Sequence, residues 1–239
     1  TGYTSDITIG DFYNDLAAKY CGSTAILGGF NQTAREEKTE KSEEAENSDK
    51  SEESGNNSSN EESSENKSKD DNIITNPEHL TSGTSSITGK RGTENFGLAV
   101  FKDGIFNGEL TATESICHLL ITNELDSCVL SIDDPFHDGD KLEVELSPAK
   151  KTKTTVKIEN EIPKISINLS LNTDILTLES DTDYEIDEIL RKLAGSTEKY
   201  LKEQFNNYLN KISKEYNTDI DQFCAKAQSN FLTIPEWEN

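Results

Sequence analysis

GLAVFKDGIFNGELTATESICHLL, residues 97–120, sets two β-forming runs on either side of Asp103-Gly104 and follows them at once with a helix start. Asp-Gly between apolar runs predicts a two-residue hairpin turn, because that turn needs positive φ at its central residues. IFNGEL is then the return strand. Thr111 and Glu114 have the spacing of a capping box, in which each side chain satisfies an amide at the helix start. Ile116, Leu119 and Leu120 give the helix an apolar face, and Asn123 is a stop. A hairpin that runs directly into a helix places strands and helices in one compact domain, and the flanks extend this.

Downstream lie CVLSID, KLEVEL, TKTTVKIE, PKISINLSL and DILTLE, divided by Asp-Pro, Asp-Gly, Ser-Pro and Asn-Glu turn signals. Lys141 to Leu146 and Lys164 to Leu171 alternate apolar and polar residues, as in an antiparallel meander with one face in water. Ile186, Ile189, Leu190, Leu193, Tyr200, Leu201, Phe205, Tyr208, Leu209, Ile212 and Tyr216 then recur at spacings of three and four, one long helix with a possible break at Gly195-Ser196. A shorter helix is expected over 220–229, before a tail with Trp237. The class is α+β: an antiparallel sheet with a long C-terminal helix and shorter helices on one face.

Upstream, Thr8 and Asp11 form another capping box ahead of Ile9, Phe12, Tyr13, Leu16 and Tyr20, so residues 8–20 read as a helix stopped by Gly22. TAILGGF, 24–30, has strand composition but no neighbouring partner. Three regions follow: 1–32 as the tail of a preceding domain, 33–93 as an acidic Ser/Glu-rich disordered linker, and 94–239 as the folded domain. The linker prediction rests on 34–71, which lacks any aromatic or branched aliphatic residue and so cannot offset its chain entropy. Arg35 to Asp71 carries fourteen acids and six bases, so −8 of the formal charge of −23 lies there and the rest of the chain is acidic too.

Such a charge repels phosphate backbones and anionic headgroups, which argues against nucleic acid as a partner. No apolar run reaches the roughly 20 residues of a membrane helix. The sequence contains no Met, so its start is read as lying upstream of Thr1, with any targeting segment or lipid-attachment site. Cys21, Cys117, Cys128 and Cys224 form no C-x-x-C pair, against a zinc ribbon or thioredoxin-like motif. Most of them read as buried thiols, while a disulfide in any of the three pairings stays open.

Two constellations invite chemistry. Cys117-His118 with Glu114 offers a thiol beside an imidazole, but adjacent helical residues face apart, so a buried thiol and a boundary histidine are the plainer reading. In DDPFHDGDKLEVE, counting Asp134 as position 1 of a calcium loop puts Asp138, Gly139 and Glu145 at positions 5, 6 and 12. Phe136, Pro135 and the strand character around Glu145 disagree with that loop, and a polar hairpin connection fits better. His79 and His137 lie in loops without ligand spacing. No catalytic, cofactor-binding or metal site is assigned, which favours a binding or assembly module.

GLAVFKDGIFNGELTATESICHLLITNE, PKISINLSLN and TEKYLKEQFNNYLNKISKEYNTDIDQF, in that order, resemble the C-terminal domain of the Ger(x)C family, the C subunits of spore germinant receptors. ITIGDFYNDLAAKYCGSTAILGGFN is similar to the segment leading into that domain. The resemblance covers about residues 5–31 and 94–238. It implies a non-enzymatic lipoprotein on the outer face of the spore inner membrane, working with a membrane-embedded A subunit and a permease-like B subunit in nutrient-triggered germination, without cofactor. It also implies that the lipid-bearing cysteine belongs upstream and is not Cys21, and that the acidic stretch is an insertion. Two alternatives from other classes are an extracytoplasmic enzyme using Cys117 and His118, and a calcium-responsive adhesion module.

Overall fold

The computed structural model describes residues 3–18, 21–30, 80–82, 93–160, 162–178, 184, 186–228 and 231. The linker prediction falls outside these residues apart from 80–82 and Thr93, which already belongs to β2, and His79 falls outside them as well. In chain order the elements are α1 (Ile9–Ala17), β1 (Ser23–Phe30), β2 (Thr93–Lys102), β3 (Ile105–Leu110), α2 (Ala112–Thr122), β4 (Cys128–Asp133), β5 (Lys141–Glu159), β6 (Ile162–Leu178), α3 (Asp187–Asn210), a π-helical turn Lys211–Glu215, and α4 (Phe223–Ala227). The class is α+β. The strands divide into two antiparallel sheets, ordered β1-β2-β3 and β4-β5-β6.

The decisive hairpin forms as its sequence requires. Asp103 and Gly104 adopt φ of 52° and 77°, the left-handed pair that lets β2 and β3 twist together. Thr111 caps α2, accepting from the Glu114 amide while Glu114 accepts from the Thr111 amide, and Asn123 ends the helix in the left-handed conformation. Gly108 on β3 is a close-approach position: a Cβ there would stand 2.5 Å from the Tyr216 ring.

Four expectations change. The α1 helix keeps its Thr8–Asp11 capping box but ends at Ala17, because Ala18 turns extended and starts the approach to β1. The five short downstream strands are three, since Ser147-Pro148 and Asn172-Thr173 do not turn. Both pairs lie inside a continuous β5–β6 ribbon in which Ser147 faces Asn172 and Leu146 faces Thr173. Proline is tolerated there because β4 pairs β5 only as far as Leu146, so Pro148 has a free edge for its missing N–H, beside a bulge that absorbs the register shift. The helix α3 does not break at Gly195-Ser196: Gly195 faces open space, and a single exposed glycine costs about 1 kcal/mol in a helix this long. The last helix is shorter than 220–229, because Gln222 is left-handed and delays its start to Phe223.

One core joins the sheets. Leu98, Val100 and Leu110 from the first meet Leu130, Leu142, Val144 and Leu146 from the second around α2, whose Ile116, Cys117, Leu119, Leu120 and Ile121 are all buried. Sequence spacing assigns this helix one apolar face, yet nearly every residue from Ala112 to Ile121 is covered, because sheets and α3 surround it. TAILGGF finds its partner far along the chain: β1 pairs with β2, Ala25 opposite Ala99. Phe12 of α1 meets Phe101 edge-on at 5.2 Å, covering the hairpin from outside.

Candidate functional site

The most concentrated buried chemistry gathers where α2, α3 and the segment after the π-helical turn meet. His118 Nδ1 lies 2.8 Å from Asp221 Oδ1, and the Tyr208 hydroxyl lies 2.9 and 3.0 Å from the two Asp221 oxygens. Tyr208 and Asp221 are buried, and His118 is only 3% exposed, so it is not the boundary histidine expected from sequence. A carboxylate has no proton to give, so both the imidazole Nδ1–H and the phenol donate to Asp221. Burial, followed by the Asp221 charge, pushes the Tyr208 phenol well above its ordinary range and keeps it a donor.

Local chain geometry delivers these groups. The π-helical turn widens the end of α3, Asn217 and Gln222 adopt left-handed φ of 46° and 57°, and Asp221 is turned inward between them. The turn is held to the hairpin: Asn107 Nδ2 donates to Tyr216 O at 2.8 Å, and the Tyr216 hydroxyl donates to Glu109 O at 2.7 Å. Lys211 bridges Glu114 at 2.7 Å and Glu109 O at 3.1 Å. Burial alone would lower the Lys211 ammonium, but its bond to Glu114 holds it above its ordinary value. Glu114 therefore serves the helix cap and this ion pair. On the outer side Gln222 Nε2 donates to Asp15 of α1 at 3.2 Å, where burial and then the Asp11 charge raise the Asp15 carboxyl.

The geometry does not assemble a nucleophile. Cys117 is 1% exposed, and burial, followed by the charges of Asp221 and Glu114, pushes its thiol well above its ordinary range, so the reactive thiolate is suppressed. Burial likewise pushes Cys128 up to about 12, and burial with the Asp219 hydrogen bond does the same for Cys224. All four cysteines are free thiols.

The second constellation is a tight connection between β4 and β5. Asp134 N donates to Asp140 O at 3.0 Å, Phe136 N donates to Asp134 Oδ1 at 2.8 Å, and the Tyr184 hydroxyl donates to Asp134 Oδ2 at 2.9 Å. His137 Nδ1 reaches the same oxygen at 3.1 Å. The calcium-loop register is not built, since Glu145 lies within β5 opposite Val129. Asp134, His137 and Asp140 instead bring ligand atoms within 4.8 Å of one another. One imidazole and two carboxylates suit a first-row divalent ion better than calcium, which takes six to eight oxygens. Both Asp134 oxygens, however, already hold the turn together. Between α3 and the inner face of β6 a groove of about 630 Å³ stays open, lined by Ile167, Leu169, Leu201 and Phe205.

Sequence reading singled out His118 but neither of its partners. The available signal was Tyr208, a phenol in the middle of an apolar helical stripe, whose hydroxyl needs a buried partner.

Comparison with known proteins adds the lineage. No curated protein matches the chain. A solved structure described as the crystal structure of the GerBC protein is similar at 18% identity and a TM-score of 0.49, over 63% of this chain and 45% of that one. The chain therefore spans less than half the length of that protein. A model of the family described as Spore germination B3/GerAC like, C-terminal, matches residues 96–239, which include the decisive hairpin, α2, both histidine–aspartate pairs and α3. The chain belongs to this spore germination family.

Proposed function

We propose that this chain is part of the C subunit of a spore germinant receptor and acts without catalysis, as an assembly module that contacts other receptor subunits. Family membership over residues 96–239 is the observation that carries this reading. The partners are the A and B membrane subunits. A lipid anchor upstream of Thr1 holds the protein on the outer face of the spore inner membrane; among the described residues no helix is long and apolar enough to cross a bilayer. Residues 1–32 enter from a preceding domain and add β1 to the sheet of β2 and β3, with 33–93 as the acidic linker and 94–239 as the C-terminal domain. The His118–Tyr208–Asp221 network supports the assembly role by holding α2, α3 and the C-terminal segment in one rigid unit.

An enzyme using Cys117 and His118 is disfavoured by the buried, protonated thiol and by an imidazole whose Nδ1 is engaged. Spores carrying Cys117→Ala separate the two readings. Germination and co-purification of the A and B subunits are expected to be retained. Germination lost while the variant still folds and still joins its partners would overturn the assembly reading. A calcium-responsive module predicts a rise in Tm with calcium, because tight binding stabilises the native state.

A further inference from the structure

The outer face of the β5–β6 ribbon is segregated by charge. Near one end Glu143, Glu145 and Asp174 stand together, Glu145 directly opposite Asp174. At the other end Lys157 stands directly opposite Lys164, with Lys153 beside them and Lys150 and Lys151 exposed in the bulged stretch. Like charges placed opposite each other on a sheet are destabilising. Lys164 is paired with Glu159, whereas Lys150, Lys151, Lys153 and Lys157 have no carboxylate partner among the described residues. From Ser147 to Ser170 there are five lysines and two glutamates, within a chain of net charge −23.

The net charge does not govern this surface. Within the distal half five lysines outnumber Glu159 and Glu161, and the acidic end is remote: twelve residues of strand separate Glu145 from Lys157, roughly 40 Å, against a screening length of about 8 Å at physiological ionic strength. The lysine end therefore acts on a partner as a locally positive face.

The composition of the face selects the partner. Thr155, Ser166 and Ser170 lie between the lysines, with neither aromatic nor arginine. Stacking on bases and bidentate reading of phosphates are thus unavailable. Protein interfaces centre on aromatic or arginine anchors and are depleted in lysine. The large apolar residue that this face does expose is Ile162, 63% accessible, beside the hairpin turn and opposite Glu159. Lysines on flexible stems around a protruding aliphatic tip match a layer of negative headgroups over hydrocarbon.

We propose that the distal half of the β5–β6 ribbon docks on an anionic lipid bilayer, with Lys150, Lys153 and Lys157 over the headgroups and Ile162 entering the boundary below them. This face would orient the domain on a membrane independently of any lipid anchor, so the proposal does not depend on one.

The test is co-sedimentation of the full 239-residue chain with vesicles of phosphatidylglycerol and phosphatidylcholine, against phosphatidylcholine alone. Partition is expected only with the anionic vesicles, and it should fall steeply with added salt. Each lysine near such a surface is worth roughly fivefold, so the triple variant Lys150→Glu, Lys153→Glu, Lys157→Glu loses roughly 100-fold or more. Ile162→Ser should lose a smaller factor, and Lys199→Glu with Lys214→Glu, exposed lysines of α3 and the π-helical turn, should change nothing. These side chains are all at the surface, and circular dichroism checks that each variant is folded. Equal sedimentation with both vesicle types would overturn the proposal. So would an unchanged triple variant, or binding of soluble polyglutamate by a chain that leaves the vesicles untouched.

Discussion

The domain contains the same chemical trio twice: an aspartate that takes a histidine Nδ1 and a tyrosine hydroxyl. In one, His118, Tyr208 and Asp221 come from α2, α3 and the segment before α4, and the trio is sealed in the core. In the other, His137 and Asp134 are three residues apart in one connection, Tyr184 comes from beyond β6, and the imidazole is 45% exposed. Chemistry alone therefore does not give such a group its role. Where all the partners are distant in sequence and water is excluded, the aspartate ties three elements into one unit; where the histidine is local and half in water, the aspartate shapes a turn and keeps one distant, buried tie, to Tyr184.

Removing the shared acceptor breaks the comparison most sharply. Asp221→Ala leaves two buried donors unsatisfied and is expected to cost about 3–5 kcal/mol. Asp134→Ala, with water able to reach the imidazole, is expected to cost about 1–3 kcal/mol. Urea denaturation measures both, and equal losses would remove the distinction.

A medium effect concerns alkaline pH. The folded Tyr208 holds its proton above its ordinary value near 10, whereas the unfolded chain releases it there. The folded state then binds more protons, so stability present below pH 10 is lost as pH rises beyond it, by about 1.4 kcal/mol per pH unit. Cys117, Cys128 and Cys224 add the same sign from about 9 upward. Tyr208→Phe is expected to cost about 1–2 kcal/mol at neutral pH and to flatten the limb above pH 10, leaving the cysteine part in place. The urea midpoint followed from neutral to alkaline pH gives both numbers.

The smallest effect is at His137. Its pair with Asp134 is half in water, so His137→Ala should shift stability by no more than about 1 kcal/mol. A larger loss in the same titration would mean that the β4–β5 connection carries more of the fold than its exposure indicates.

Much of the fold was legible because its causes are local. Asp103-Gly104 turns because of backbone sterics, and Thr111–Glu114 and Thr8–Asp11 cap because amides at a helix start need acceptors within three residues. The register of α3 was readable from its stripe, although Ile186 and Leu190 at its start remain exposed. Ser147-Pro148 misled because a turn signal and an edge bulge share the same residue type, and only the absence of β4 alongside decides between them.

Sequence alone determined the α+β class, the hairpin, the caps, the long helix and the acidity, all of which follow from neighbours along the chain. Tertiary structure decided the pairing of β1 with β2, the burial of α2 on every side, and the meeting of His118 with Tyr208 and Asp221. It also decided that Lys150, Lys153 and Lys157 of one strand share an outward face, without a carboxylate partner among the described residues. Each of these depends on residues that pattern and propensity cannot bring together. Long-range packing supplies that, because buried polar groups must find partners wherever the fold places them.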